Sequence, residues 1–175
     1  MTVSPTPSVT VSASPQSPAP AGSTPRCVGT QLVVRFVEVQ GASGDSVARF
    51  KVINAASVTC HLQGFPGFTL KGKGVADEVA VRSSASHSSY IPVPFTPRLV
   101  TLAPGGYAEF GVEASDSDVT HGGAPWPKSI SATVYAPGDT TPLTVRVEMP
   151  MPQEPNPLTI SPVEPPGCIP NPNCS

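Results

Sequence analysis

The sequence predicts an all-β fold, an antiparallel immunoglobulin-like β-sandwich of about eight short strands behind a disordered N-terminal tail. Three observations predict it. Apolar residues recur with period two in one segment after another, turn signals return every ten or so residues, and no stretch keeps helical apolar spacing over three turns. The 24 prolines and 15 glycines among 175 residues act in the same direction. Proline removes a backbone donor and glycine costs backbone entropy, so both disfavour long helices.

Met1 to Pro25 is nearly all Pro, Ser, Thr, Ala and Val, without one charged side chain. Such a segment cannot bury enough apolar area to offset the cost of ordering it, so residues 1–26 read as a disordered stalk biased toward polyproline II. The composition suits a plain tether or an O-glycosylated one.

Order begins at Cys27, and residues 27–163 read as the sandwich. Leu32, Val34 and Phe36 share one strand face, opposite Val33, Arg35 and Val37. Gly41 to Asp45 is a hairpin connection, after which Ala48, Phe50 and Val52 alternate against Val47, Arg49 and Lys51. Asn54-Ala55-Ala56-Ser57 interrupts the pattern; Cys60 and Leu62 belong to a third strand, with His61 facing solvent. Phe68 and Leu70 continue after the Gly64-Phe65-Pro66-Gly67 turn, and Lys71-Gly72-Lys73-Gly74 breaks the run. Val79 and Val81 alternate briefly before a polar, unpatterned stretch from Arg82 to Ser89, the longest irregular segment of the domain. Leu99, Thr101 and Leu102 lead into Ala103-Pro104-Gly105-Gly106, a strong turn signal. Ala108, Phe110 and Val112 then alternate against Tyr107, Glu109 and Glu113, which predicts a half-buried strand with its acidic face in water. Asp116 to Pro127 reads as a loop. Ile130, Ala132 and Val134 mark the next strand face, Pro137-Gly138-Asp139 a turn, and Leu143, Val145 and Val147 another strand. Leu158 and Ile160 suggest a short last strand, and residues 164–175 a proline-rich tail carrying Cys168 and Cys174.

Charge and cysteine usage narrow the function classes. A net charge of −2 with no basic face argues against nucleic acid as a partner. Four cysteines, with no Cys-x-x-Cys and no zinc-like spacing, favour disulfides in an oxidising compartment, with three connectivities open. No apolar run approaches the ~20 residues of a membrane helix. Met1-Thr2-Val3 opens directly on proline-rich sequence, so export implies a leader, or a lipid-bearing cysteine, upstream of Met1.

The elements Val52-Ile53-Asn54, Cys60-His61-Leu62-Gln63-Gly64-Phe65-Pro66 and Leu102-Ala103-Pro104-Gly105 resemble a domain family of unknown function common in actinobacterial lipoproteins and secreted proteins. The matching positions are Asn54, Cys60, Leu62, Gly64, Phe65, Pro66, Leu102, Pro104 and Gly105, and the resemblance covers about Cys27 to Val163. It implies a β-sandwich, export, and often a lipid anchor behind a Ser/Thr/Pro-rich spacer, but no activity. The chain departs from the family in carrying no cysteine between Cys60 and Cys168. The resemblance therefore implies the pairs Cys27–Cys60 and Cys168–Cys174, the first closing a loop worth roughly 3 to 4 kcal/mol in the chain-entropy model.

Individual residues bear on three chemistries. An enzyme is not expected, nor any cofactor. The histidines are His61, His87 and His121, no Gly-x-Ser-x-Gly occurs, and the cysteines read as oxidised. A metal-handling domain for copper or calcium is the alternative function, resting on Asp116, Asp118, His121, Met149 and Met151. Asp116-Ser117-Asp118 lacks the rest of a calcium loop, and the methionines read equally well as core. The leading expectation is a non-enzymatic binding or structural module of the cell surface, with a cell-envelope polysaccharide or protein as partner. Its candidate ligand-binding residues are Tyr90, Phe95, His121 and Trp126, aromatic and polar groups in loops, although a lone tryptophan also serves as a core plug.

Overall fold

Strands form where the period-two pattern places them in the computed structural model, which describes residues 24–42, 44–83, 96–118, 122–152 and 157–169. A turn of 3-10 helix (Gly29–Gln31) leads into β1 (Leu32–Ala42) and β2 (Asp45–Asn54). There follow β3 (Cys60–Leu62), β4 (Gly67–Gly72), β5 (Glu78–Val79), β6 (Val81–Arg82), β7 (Val100–Leu102) and β8 (Tyr107–Ser115). The chain ends through β9 (Ser117–Asp118), β10 (Ala124–Pro125), β11 (Ser129–Tyr135), β12 (Leu143–Val145) and β13 (Thr159–Ile160). The fold is all-β, a sandwich of a five-stranded sheet, β1-β2-β8-β13-β6, and a four-stranded sheet, β12-β11-β4-β5. Among the described strands of these two sheets every pairing is antiparallel except β13 with β6. Two small ribbons, β3 with β7 and β9 with β10, complete the pairings.

An aromatic cluster fills the space between the sheets. Phe50 of β2 stacks on Phe110 of β8 at 5.1 Å, and Phe68 of β4 meets both edge-on at 5.2 and 6.2 Å. Edge-to-face contact is the preferred approach of two ring quadrupoles. Leu62, Leu70, Leu102, Val112, Ala132 and Val134 are buried around the rings.

Several elements differ from the sequence expectation, each for a local reason. Ile130 stands 58% exposed while Ala132 and Val134 are buried. A bulge between Ser129 and Ser131 inserts it as an extra residue, and one extra residue turns a side chain to the other face. The Ser129 hydroxyl repairs the broken ladder, donating to the Val147 carbonyl at 2.9 Å and accepting the Met149 amide at 3.1 Å. Leu99 is likewise exposed, because β7 turns Val100 and Leu102 inward. Val79 and Val81 are both exposed and lie in different sheets, since the chain crosses from β4 to β13 at Ala80. The segment after Asp116, read as a loop, contains the β9–β10 ribbon. Finally, β8 is buried on both faces: Glu109 and Glu113, expected in water, are covered.

Candidate functional site

The buried acids of β8 lie on the outward face of the five-stranded sheet, and register decides their company. Lys51 pairs with Glu109, Arg49 with Gly111, and Thr159 with Glu113. Beyond β13 the chain returns to β8, and Glu164 joins Glu109 in an antiparallel bridge, each amide donating to the other's carbonyl at 2.8 Å. Two carboxylates therefore stand side by side with almost no solvent contact, Glu109 1% and Glu164 2% exposed. Like charges placed so are costly unless paired. Glu109 is paired: Arg49 lies 3.6 Å and Lys51 3.9 Å away, and the Gly167 amide donates to its Oε2 at 2.9 Å. Arg49 also binds Glu38 of β1, and Lys51 sits 4.1 Å over the Tyr107 ring. Glu164 is served less well. Its Oε2 is 3.9 Å from the Arg98 Nε, its Oε1 has no partner among the described residues, and burial pushes its carboxyl above the ordinary value against the opposing pull of Arg98. The cluster can hold charge and a proton, but it is closed to a substrate. No pattern within one strand announces it, because only pairing brings Arg49, Lys51, Glu109 and Glu164 together.

The residues of the sequence resemblance form a different centre, built on Asn54. Its side chain is fully buried; its amide donates to the carbonyls of Val58 at 2.8 Å and Leu102 at 3.0 Å, and its Oδ1 accepts the Ala56 amide at 3.0 Å. One residue thus ties the end of β2, the approach to Cys60 and the turn after β7. That turn places Pro104 before Gly105 at φ 76°, the type II arrangement that calls for glycine, with the Gly106 amide donating to the Ala103 carbonyl. Gly64, at φ 113°, turns the chain after β3 and accepts the Val163 amide at 2.9 Å. Cys27 and Cys60 form a disulfide, both fully buried. These positions encode backbone architecture rather than a reactive group. The chain belongs to the DUF4232 family. This domain of unknown function matches residues 27–164. No curated protein and no solved structure matches the chain.

Trp126 is half-buried beside the β9–β10 ribbon, and its Nε1 donates to the Ser115 hydroxyl at 2.9 Å. Tyr90, Phe95 and His121 lie outside the described residues. Asp116 accepts a hydrogen bond from the Ser46 hydroxyl, while its amide donates to Gly44, so it clasps the end of the β1–β2 hairpin. The Asp118 side chain is outside the described set. Met149 and Met151 are buried in the core, and Met151 fills the space that a Cβ on Gly72 would need. Among the described residues no group of three or more His, Cys, Asp or Glu converges to hold a metal ion. His61 is half-buried, not solvent-facing: its Nδ1–H donates to the Thr24 carbonyl at 2.8 Å. Thr24 to Arg26, the end of the stalk, therefore lies along β3, with Arg26 bridged to His61. Cys168 is disulfide-bonded and buried with Ile169; Cys174 lies outside the described residues, as does the stalk up to Ser23. The Ile130 bulge also borders an open groove of about 790 Å³, lined by Phe36, Ile130, Ser131, Thr144, Arg146 and Glu148 among others, which the periodicity did not foretell.

Proposed function

We propose that this chain is a non-enzymatic, extracytoplasmic β-sandwich module that binds a cell-envelope polysaccharide or protein, held off the surface by its Pro/Ser/Thr-rich stalk. The observation that carries the reading is the Cys27–Cys60 disulfide, buried where the stalk enters the domain. A structural bridge of this kind belongs to oxidising compartments, in keeping with the lipoprotein and secreted setting that the sequence resemblance implies. The centre formed by Asn54, Gly64 and Gly105 supports a scaffold role for the residues of the resemblance, and the closed carboxylate pair offers no route for a substrate.

The proposed binding surface is the loop end carrying Trp126, whose ring is half-buried and whose indole N–H is already engaged. Trp126→Ala is expected to leave the far-ultraviolet spectrum unchanged and to abolish retention on cell-wall material. Retention equal to that of the unsubstituted protein overturns this surface. Loss with Arg146→Ala instead moves the surface to the groove beside Ile130. Fractionation of the source cells with thiol trapping tests the compartment: free thiols at Cys27 and Cys60 in a cytosolic fraction refute the extracytoplasmic reading.

A further inference from the structure

Among the described residues, the buried polar side-chain atoms without a partner are Arg49 Nε, Ser83 Oγ, Thr159 Oγ1 and Glu164 Oε1. They gather on one side of one sheet. Arg49 and Thr159 share the outward face through their partners Gly111 and Glu113, and Ser83 lies one alternation beyond Val81, the partner of Thr159. The other buried side-chain polar atoms of the described residues have partners, so this polar layer is where the described fold is most weakly held. The segment closing over the layer is short. From Val163 to Ile169, backbone groups tie it to β8 through the reciprocal Glu109–Glu164 bridge and the Gly167 amide on the Glu109 carboxylate.

We propose that residues 163–169 are a proton-sensitive latch on the outer face of the five-stranded sheet, closed when the Glu164 carboxyl is protonated and loosened when it ionises. Opening hydrates the Glu164 carboxylate, whereas closing buries it beside Glu109 with one oxygen unpartnered among the described residues. The groups facing the pair are known from each neighbouring element: Arg49 and Lys51 on β2, Glu38 of β1 behind Arg49, Glu113 further along β8, and Arg98 ahead of β7. The β2 cations serve Glu109, and among the described residues the cation beside Glu164 is Arg98, at 3.9 Å. The sign follows from burial. A carboxyl whose proton is held more tightly in the closed state opposes closure as the pH rises past its open-state value. The opposition is complete above the closed-state value, and each unit of difference multiplies the opening constant about tenfold.

Hydrogen exchange on the full chain tests the latch, followed at the Glu164 and Gly167 amides between pH 4 and pH 8 and corrected for intrinsic rates. Amides in the β2–β8 ladder serve as the global reference. Protection of the latch amides is expected to fall about tenfold or more across this range while the ladder amides hold theirs. Glu164→Gln is expected to make latch protection independent of pH. Arg98→Ala, a change at an exposed residue, is expected to speed latch exchange at pH 7. Latch and ladder amides that move together, a pH dependence that survives in Glu164→Gln, or unchanged exchange in Arg98→Ala overturns the proposal.

Discussion

Removing the Cys27–Cys60 bridge by Cys27→Ala with Cys60→Ala tests how far this domain depends on an oxidising compartment. The bridge joins positions 33 residues apart, and the loop encloses β1 and β2 entire. These two strands carry Phe36 and Phe50, so the tied segment supplies one half of the aromatic core. In the chain-entropy account, closing a loop of 33 residues removes about 12.5 cal/mol/K from the unfolded ensemble, or about 3.7 kcal/mol at 25 °C. Against a typical stability of roughly 5–15 kcal/mol, that is a large share. Truncating two buried side chains adds a packing loss, so the double variant is expected to lose at least about 3 kcal/mol and roughly 10 °C in Tm. Urea titration at pH 7, followed by intrinsic fluorescence, measures it. The midpoint should fall and the denaturant slope should rise, because an unbridged unfolded chain exposes more surface. The same titration on unsubstituted protein, reduced and blocked at its thiols, should land near the variant. A loss below about 1 kcal/mol with an unchanged slope would refute the reasoning. It would mean that β1 and β2 are held by their packing alone, and that the bridge carries no argument about compartment.

Two further predictions concern the supports of the fold. Asn54→Ala strips the partners from the Val58 and Leu102 carbonyls and the Ala56 amide, and should cost about 2–4 kcal/mol in a denaturant titration. A loss under about 1 kcal/mol would remove Asn54 from the centre of the motif. Asp139 binds the Thr141 amide and hydroxyl, then the Gly29 amide, and these hold its carboxyl below its ordinary value of 3.8. A depressed folded value adds stability that is complete above the unfolded value and is lost as the pH falls through the folded one. Asp139→Ala should therefore be less stable than the unsubstituted protein at pH 6, with the gap closing in acid; a gap independent of pH contradicts the assignment.

What the chain determines by itself is the local alternation and the punctuation. Phe50 and Phe110 lie on the faces that their period-two neighbours imply, and the chain turns at Pro104-Gly105 and at Gly64, where proline fixes φ and glycine supplies a positive one. The all-β class and the Cys27–Cys60 pair follow from features close together in the sequence, or from elements shared with the family. Only the tertiary structure decides what depends on register and on the layer above. Glu109 sits in a strand whose alternation reads as half-exposed, yet it is buried, because the chain beyond β13 returns to cover it with Glu164 and Gly167. Ile130 continues the apolar phase of Ala132 and Val134, yet it faces outward, because a single inserted residue reverses every side chain on its side of the bulge. In both cases the deciding partner lies far along the chain, and a pattern that repeats every two residues carries no information about which strand will lie beside it or what will close over it.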